Sequence, residues 1–162
     1  TAFLIHTFLL ACVNNPEVVR KAQAELDRVA GDNLPQYNQM KKMPYIHAVV
    51  KETIRWVPVT PLAFPHQSEV DVEFNGYHIP AKSLIIPSIW NMHRDQNNYP
   101  EPDTFNPERW FDPDNNGYVK SSSSLLDEHW SFGYLDRECP GKYLAVDLIW
   151  GAIASLLWAF DI

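Results

Sequence analysis

Nine of the chain's 13 prolines fall between Pro58 and Pro113. Proline fixes φ, offers no backbone N–H and clashes with the preceding helical turn, so that stretch excludes long helices. Outside it, apolar residues recur with helical spacing. Residues 1–14 (TAFLIHTFLLACVN) read as the second half of a buried helix, too short for a bilayer, which needs about 20 apolar residues. Asn15-Pro16-Glu17 restarts a helix with an N-cap Asn, a first-position Pro and an acid in the first turn. That helix reaches about Ala30, with Val18, Ala22, Leu26 and Val29 as its buried stripe and Gly31 as its stop. Residues 31–42 read as a polar connection, and a third helix starts near Pro44 and stops before Pro58.

Within the proline-dense stretch, Val70, Val72 and Phe74 alternate with polar residues, which predicts a strand facing a core on one side. Asn75-Gly76 is a hairpin signal, with Tyr77 to Ile79 returning and Leu84-Ile85-Ile86 as a third strand. Residues 97–113 read as an irregular aromatic segment and residues 112–124 (DPDNNGYVKSSSS) as a loop. The pattern from Lys142 to Phe160 predicts a long apolar helix, fully buried in a core in preference to crossing a membrane, since Asp147 interrupts it. No internal repeat is visible.

Composition narrows the function classes. Hydrophobic residues make up 46% of the 162 and charged residues 20%, enough for a core and too little charge for a disordered chain. The net charge of −7, with no Lys/Arg run longer than two, argues against nucleic acid and an anionic membrane surface as partners. Two cysteines, Cys12 and Cys139, exclude a disulfide-rich scaffold and a multi-cysteine zinc site. The apolar start lacks a basic segment and a cleavage site, so a signal peptide is a poor reading of it. Apolar runs at both ends read as a segment of a longer protein, whose helices would expose apolar patches when isolated.

Three constellations carry chemistry. Glu52 and Arg55, in KETIR, are three apart on one helical face; alone they carry no functional signal and read as a solvated ion pair. Arg109, in PERW, is flanked by Phe105, Trp110 and Phe111, so it is either an exposed loop residue or a desolvated cation needing a carboxylate, which Glu52 offers. Cys139, in FGYLDRECPG, precedes the last helix. A lone cysteine is commonly a small buried hydrophobe. A helix N-terminus and Arg137 nearby instead favour a thiolate that ligates a metal or attacks as a nucleophile. His66, His93 and His129 are available as a general base for the nucleophile, but none sits in a recognisable protease context.

In this order and at these separations, the motifs resemble the C-terminal part of a cytochrome P450, a haem-thiolate monooxygenase, in a eukaryotic, fungal style. KETIR is similar to the family's Glu-x-x-Arg, PERW to its irregular meander and FGYLDRECPG to its haem loop, and the GYHIP strand onward is similar throughout. The resemblance implies a mainly α fold with a small β region. Residues 1–162 would be a partial domain, running from the end of the family's helix I through its helix L. It implies haem b as cofactor, with Cys139 as proximal iron ligand and catalytic centre. Phe132 would shield the sulfur, and Arg137 and His66 would bind haem propionates. Glu52, Arg55 and Arg109 would form a structural ion network.

The same resemblance implies insertion of one O₂ atom into a small, hydrophobic organic substrate, with electrons from a flavoprotein reductase and ultimately NADPH. A full-length member would sit at the endoplasmic reticulum membrane through an N-terminal anchor outside these residues. The acid–Thr pair that delivers protons to oxygen would precede Thr1, and strands closing the substrate pocket would follow Ile162. Two other readings stand beside this one. The first is a truncated, inactive derivative that binds haem weakly or not at all, and the second a non-enzymatic helical interaction module. One departure bears on them: the family pattern has a glycine where this chain has Leu135. If that glycine serves a left-handed backbone or close approach to the porphyrin, Leu135 adds strain and displaces the loop.

Overall fold

The computed structural model describes residues 1–110 and 130–162. The loop expected over residues 112–124, together with Phe111 and His129, lies outside them. The rest is mainly helical with a small β region, as expected. Helices α1 (Ala2–Asn14) and α2 (Pro16–Val29) meet at a 108° bend, where Pro16 cannot continue the first helix. Asn15 does not cap α2 with its side chain, contrary to the expectation. Its amide instead donates to the Ala11 carbonyl (2.8 Å), as Asn14 does to Leu10 (2.7 Å), so both side chains close the end of α1. On α2 the expected Ala22 and Leu26 are buried, Val18 and Val29 pack half-buried against the core, and Val19 is buried in addition. At its end the Gly31 N–H reaches back to Leu26. The polar connection contains a 3₁₀ turn, Tyr37–Lys42.

Helix α3 (Pro44–Trp56) is the centre of the molecule, packing against α1, α2, the 3₁₀ turn Pro107–Trp110 and the last helix. Every residue from Ala48 to Arg55 is buried, including Lys51, Glu52 and Arg55. Glu25, buried on α2, accepts hydrogen bonds from the Tyr45 and Ile46 N–H groups (3.0 and 2.9 Å), satisfying two orphan donors at the start of α3 from another helix. The last helix, α5 in this numbering (Lys142–Ala159), contributes Val146, Ile149, Trp150, Ile153, Ala154 and Leu157 to a core shared with Phe8, Leu26 and Ile46. It is long and apolar enough to cross a membrane by length and composition. It is not fully buried, because Tyr143, Leu144, Leu148 and Trp158 are exposed. The described helices pack on only one side of it.

The β region consists of two antiparallel two-stranded ribbons. Strand β1 (His66–Gln67) pairs with β4 (Leu84–Ile85), and β2 (Val72–Phe74) with β3 (Tyr77–Ile79). The third strand therefore joins His66, not the hairpin. The hairpin turns at Asn75 (φ +50°) and Gly76 (φ +80°), both in the left-handed region that a tight two-residue connection requires. Val70, Val72 and Phe74 are exposed, so the expected core-facing strand is corrected. Among the described residues no layer covers that ribbon, and its alternation is answered only by cross-strand pairing. Between the ribbons and Pro107 lies a short helix, α4 (Ile89–Met92), which places His93 in the core.

Two histidines, His93 buried and His47 half-buried, set an acid limit on this core. His93 is fully buried with Nδ1 3.1 Å from the Arg55 carbonyl, and His47 packs one turn before Lys51 on α3. Burial, helped by nearby cations, pushes each imidazole down to about 4. A group whose pKa falls on folding supports the fold above its unfolded value, near 6.5, and withdraws that support as pH falls toward about 4. The thermal midpoint should therefore hold near neutrality and drop below pH 6.5, before most carboxylates titrate. A midpoint flat from pH 7 to 5 would contradict this.

Candidate functional site

Two arrangements carry the residues singled out in the sequence. The first is an ion cluster on α3. Glu52 and Arg55 are both fully buried, and the guanidinium grips the carboxylate with two bonds (Nε to Oε2 and Nη2 to Oε1, both 2.8 Å). Arg109 Nε reaches Oε1 at 3.1 Å, Trp110 Nε1 reaches Oε2 at 2.9 Å, and the Asn106 N–H reaches Oε1 at 2.9 Å. The remaining guanidinium donors go to carbonyls: Arg55 to His93, and Arg109 to Pro100, Glu101 and Thr104. One carboxylate thus holds two cations and the Pro107–Trp110 turn, so the pair is neither solvated nor a surface feature.

The second is the loop that carries Cys139. Phe132, half-buried, packs its ring on the helical core, and its carbonyl accepts the Cys139 N–H at 2.7 Å. Between them the chain makes a closed turn. Gly133 is left-handed (φ +77°), and a Cβ there would lie 3.0 Å from the Arg137 carbonyl oxygen, so only glycine fits. Leu135 is also left-handed (φ +53°) and 86% exposed. The strain expected at that position is therefore present, of the order of 1–2 kcal/mol for a residue with a side chain. The loop nonetheless closes through Arg137 N–H to Tyr134 (3.3 Å) and Glu138 N–H to Leu135 (3.0 Å). Leu135→Gly removes the strain and loses no packing, so it should raise the thermal midpoint by about 2–4 °C. A lowered midpoint would show that the leucine side chain has a contact worth more than its backbone cost.

Cys139 is exposed and free, three residues ahead of α5, whose Lys142 N–H donates to the Cys139 carbonyl (3.2 Å). It opens onto a cavity of about 1190 Å³ whose walls include His66 on β1, Arg137 and apolar residues from α1, α3 and α5 (Leu4, Ile54, Ile149). The structure thus brings Cys139, Arg137, Phe132 and His66 to one cavity, and Glu52, Arg55 and Arg109 to one separate cluster. Arg137 makes no salt bridge among the described residues, whereas the neighbouring Glu138 pairs with Lys142. The other cysteine, Cys12, is buried in the core, where burial pushes its thiol up to about 12, as befits an inert hydrophobe.

Sequence reasoning missed two members. Trp110 is a partner of Glu52, and an indole N–H that goes into a core must find an acceptor, which the PERW motif next to a lone buried carboxylate signals. Tyr134 stacks on His66, with ring centroids 6.3 Å apart and planes at 22°. No spacing in the sequence announces that contact.

Over residues 1–162 the chain matches the family model described as Cytochrome P450. It is 43% identical to a cytochrome P450 monooxygenase of the fungus Arthrobotrys oligospora, the match covering 99% of this chain and 30% of that protein. Relatives of the same name from Rhodocybe pseudopiperita (42%, covering all of this chain and 30% of the relative) and Armillaria gallica (41%, 96% and 30%) are similar to the same extent. The chain therefore spans about 30% of the length of the curated relatives it matches.

Proposed function

This chain belongs to the cytochrome P450 family, and from that premise we propose that residues 1–162 are the haem-ligating C-terminal portion of a monooxygenase that inserts one O₂ atom into a small, hydrophobic organic substrate. The observation that carries the reading is the free, exposed Cys139 thiol opening on the same cavity as Arg137 and His66. This donor set suits haem b: one soft sulfur for the iron, an always-charged fork and an imidazole for the carboxylates, and an apolar wall for the ring. When bound, haem supplies O₂ activation, the thiolate's electron density favouring O–O cleavage.

The chain's own residues have separable tasks. Cys139 holds the iron, with its backbone tied to Phe132 so that the sulfur keeps its place ahead of α5. Phe132 excludes water from the sulfur's side of the core. Arg137 and His66 orient the ring through its carboxylates. Glu52, Arg55 and Arg109 tie α3 to the Pro107–Trp110 turn and do no chemistry. Electrons would come from a flavoprotein reductase and ultimately NADPH, and a full-length member would work at the endoplasmic reticulum membrane.

A second reading, a fragment that folds but retains haem weakly, is favoured by one observation, the left-handed Leu135. Haem titration separates the two. Saturation at one equivalent, weakened by Arg137→Ala by about tenfold as befits a lost charged hydrogen bond, supports the monooxygenase reading. Weak, substoichiometric uptake that Leu135→Gly restores supports the second.

A further inference from the structure

We propose that Tyr134 is a positioning residue for the cavity: its ring fixes the imidazole of His66 and thereby locks the cysteine loop against strand β1. The inference rests on the haem-binding reading of Cys139, Arg137 and His66. Tyr134 is extended (φ −152°, ψ 156°) and lies between two left-handed residues, Gly133 and Leu135. An ordinary extended segment would carry successive side chains to alternating faces along a straight line. Here the chain bends at both flanks, so that Phe132 packs on the core while the Tyr134 ring departs from it and lies over His66. Both rings line the same cavity as Cys139.

His66 needs such a contact. It sits on a strand of two residues, paired only with Ile85 in a two-stranded ribbon, and such a ribbon holds a side chain loosely. Its exposure is intermediate and the core makes no claim on it. An imidazole free to turn about χ1 would meet a carboxylate only part of the time, whereas one stacked on a phenol ring is held in one orientation. The left-handed Leu135 then has a purpose, since the bend it makes delivers Tyr134 to His66.

Haem release from the reconstituted chain into an excess of a haem-scavenging globin tests this, with Tyr134→Ala, Tyr134→Phe, His66→Ala and the Tyr134→Ala/His66→Ala double variant. A stacked ring pair predicts release about two- to tenfold faster in Tyr134→Ala and unchanged in Tyr134→Phe, which keeps the ring. In the His66→Ala background, Tyr134→Ala should add nothing. The thiolate-type spectrum should persist in all four variants, because none touches Cys139. If Tyr134→Ala fails to fold, Tyr134→Leu, which fills the space without a π face, takes its place with the same expectation. Additive effects of the two alanine variants, or release unaltered by Tyr134→Ala, would overturn the proposal while leaving the haem reading intact. A wild-type chain without a thiolate-type spectrum would overturn the haem reading and this inference with it.

Discussion

Glu52→Ala should cost the chain about 3–5 kcal/mol, a large share of the stability of an ordinary domain, and replace a cooperative denaturation curve by a shallow one. The carboxylate is fully buried and takes five donors: two from Arg55, one from Arg109, the Trp110 indole and the Asn106 backbone. Removing it leaves the fully buried Arg55 guanidinium without a counter-charge and frees the Pro107–Trp110 turn from α3. The cost comes mainly from that orphaned cation, so truncating a partner should rank by burial. Arg109, with a tenth of its side chain exposed, can recover solvent and should cost less when replaced by alanine. Urea denaturation of Glu52→Ala and Arg109→Ala checks the order. A Glu52→Ala loss below about 1 kcal/mol, the scale of surface pairs, would mean that the cluster is effectively solvated.

Much of this was legible in the sequence where local chemistry dictates geometry. Pro16 and Pro44 place helix starts and the proline-dense stretch excludes long helices, because a missing N–H acts whatever surrounds it. Asn75-Gly76 sets its turn for the same reason. The carboxylate that Arg109 needs was readable as Glu52, because a desolvated cation must be paired. What stayed hidden depends on packing between distant segments. The exposure of Val70, Val72 and Phe74 follows from which layer covers the ribbon, and alternation alone cannot say that one does. The amide of Asn15 turned to α1 because two helix ends compete for it. A helix as apolar as α5 gives little periodic signal of which face is buried. At the cavity, the Cys139 loop and its residues were visible as a motif, and the left-handed backbone at Leu135 followed from a glycine-requiring position. The Tyr134–His66 stack joins residues far apart in the chain and has no local signature.

The central claim is that Cys139 is placed to ligate haem iron. The reduced, carbon-monoxide-bound absorption spectrum of the haem-reconstituted chain, recorded beside Cys139→Ser, tests it most directly. Thiolate donation alters the iron's electronic state in a way that a hydroxyl or an imidazole does not reproduce. The account predicts a strongly red-shifted Soret band in the wild-type chain and its complete loss in Cys139→Ser, with the variant still folded by circular dichroism. A wild-type spectrum without that band, or the same band in Cys139→Ser, would contradict it.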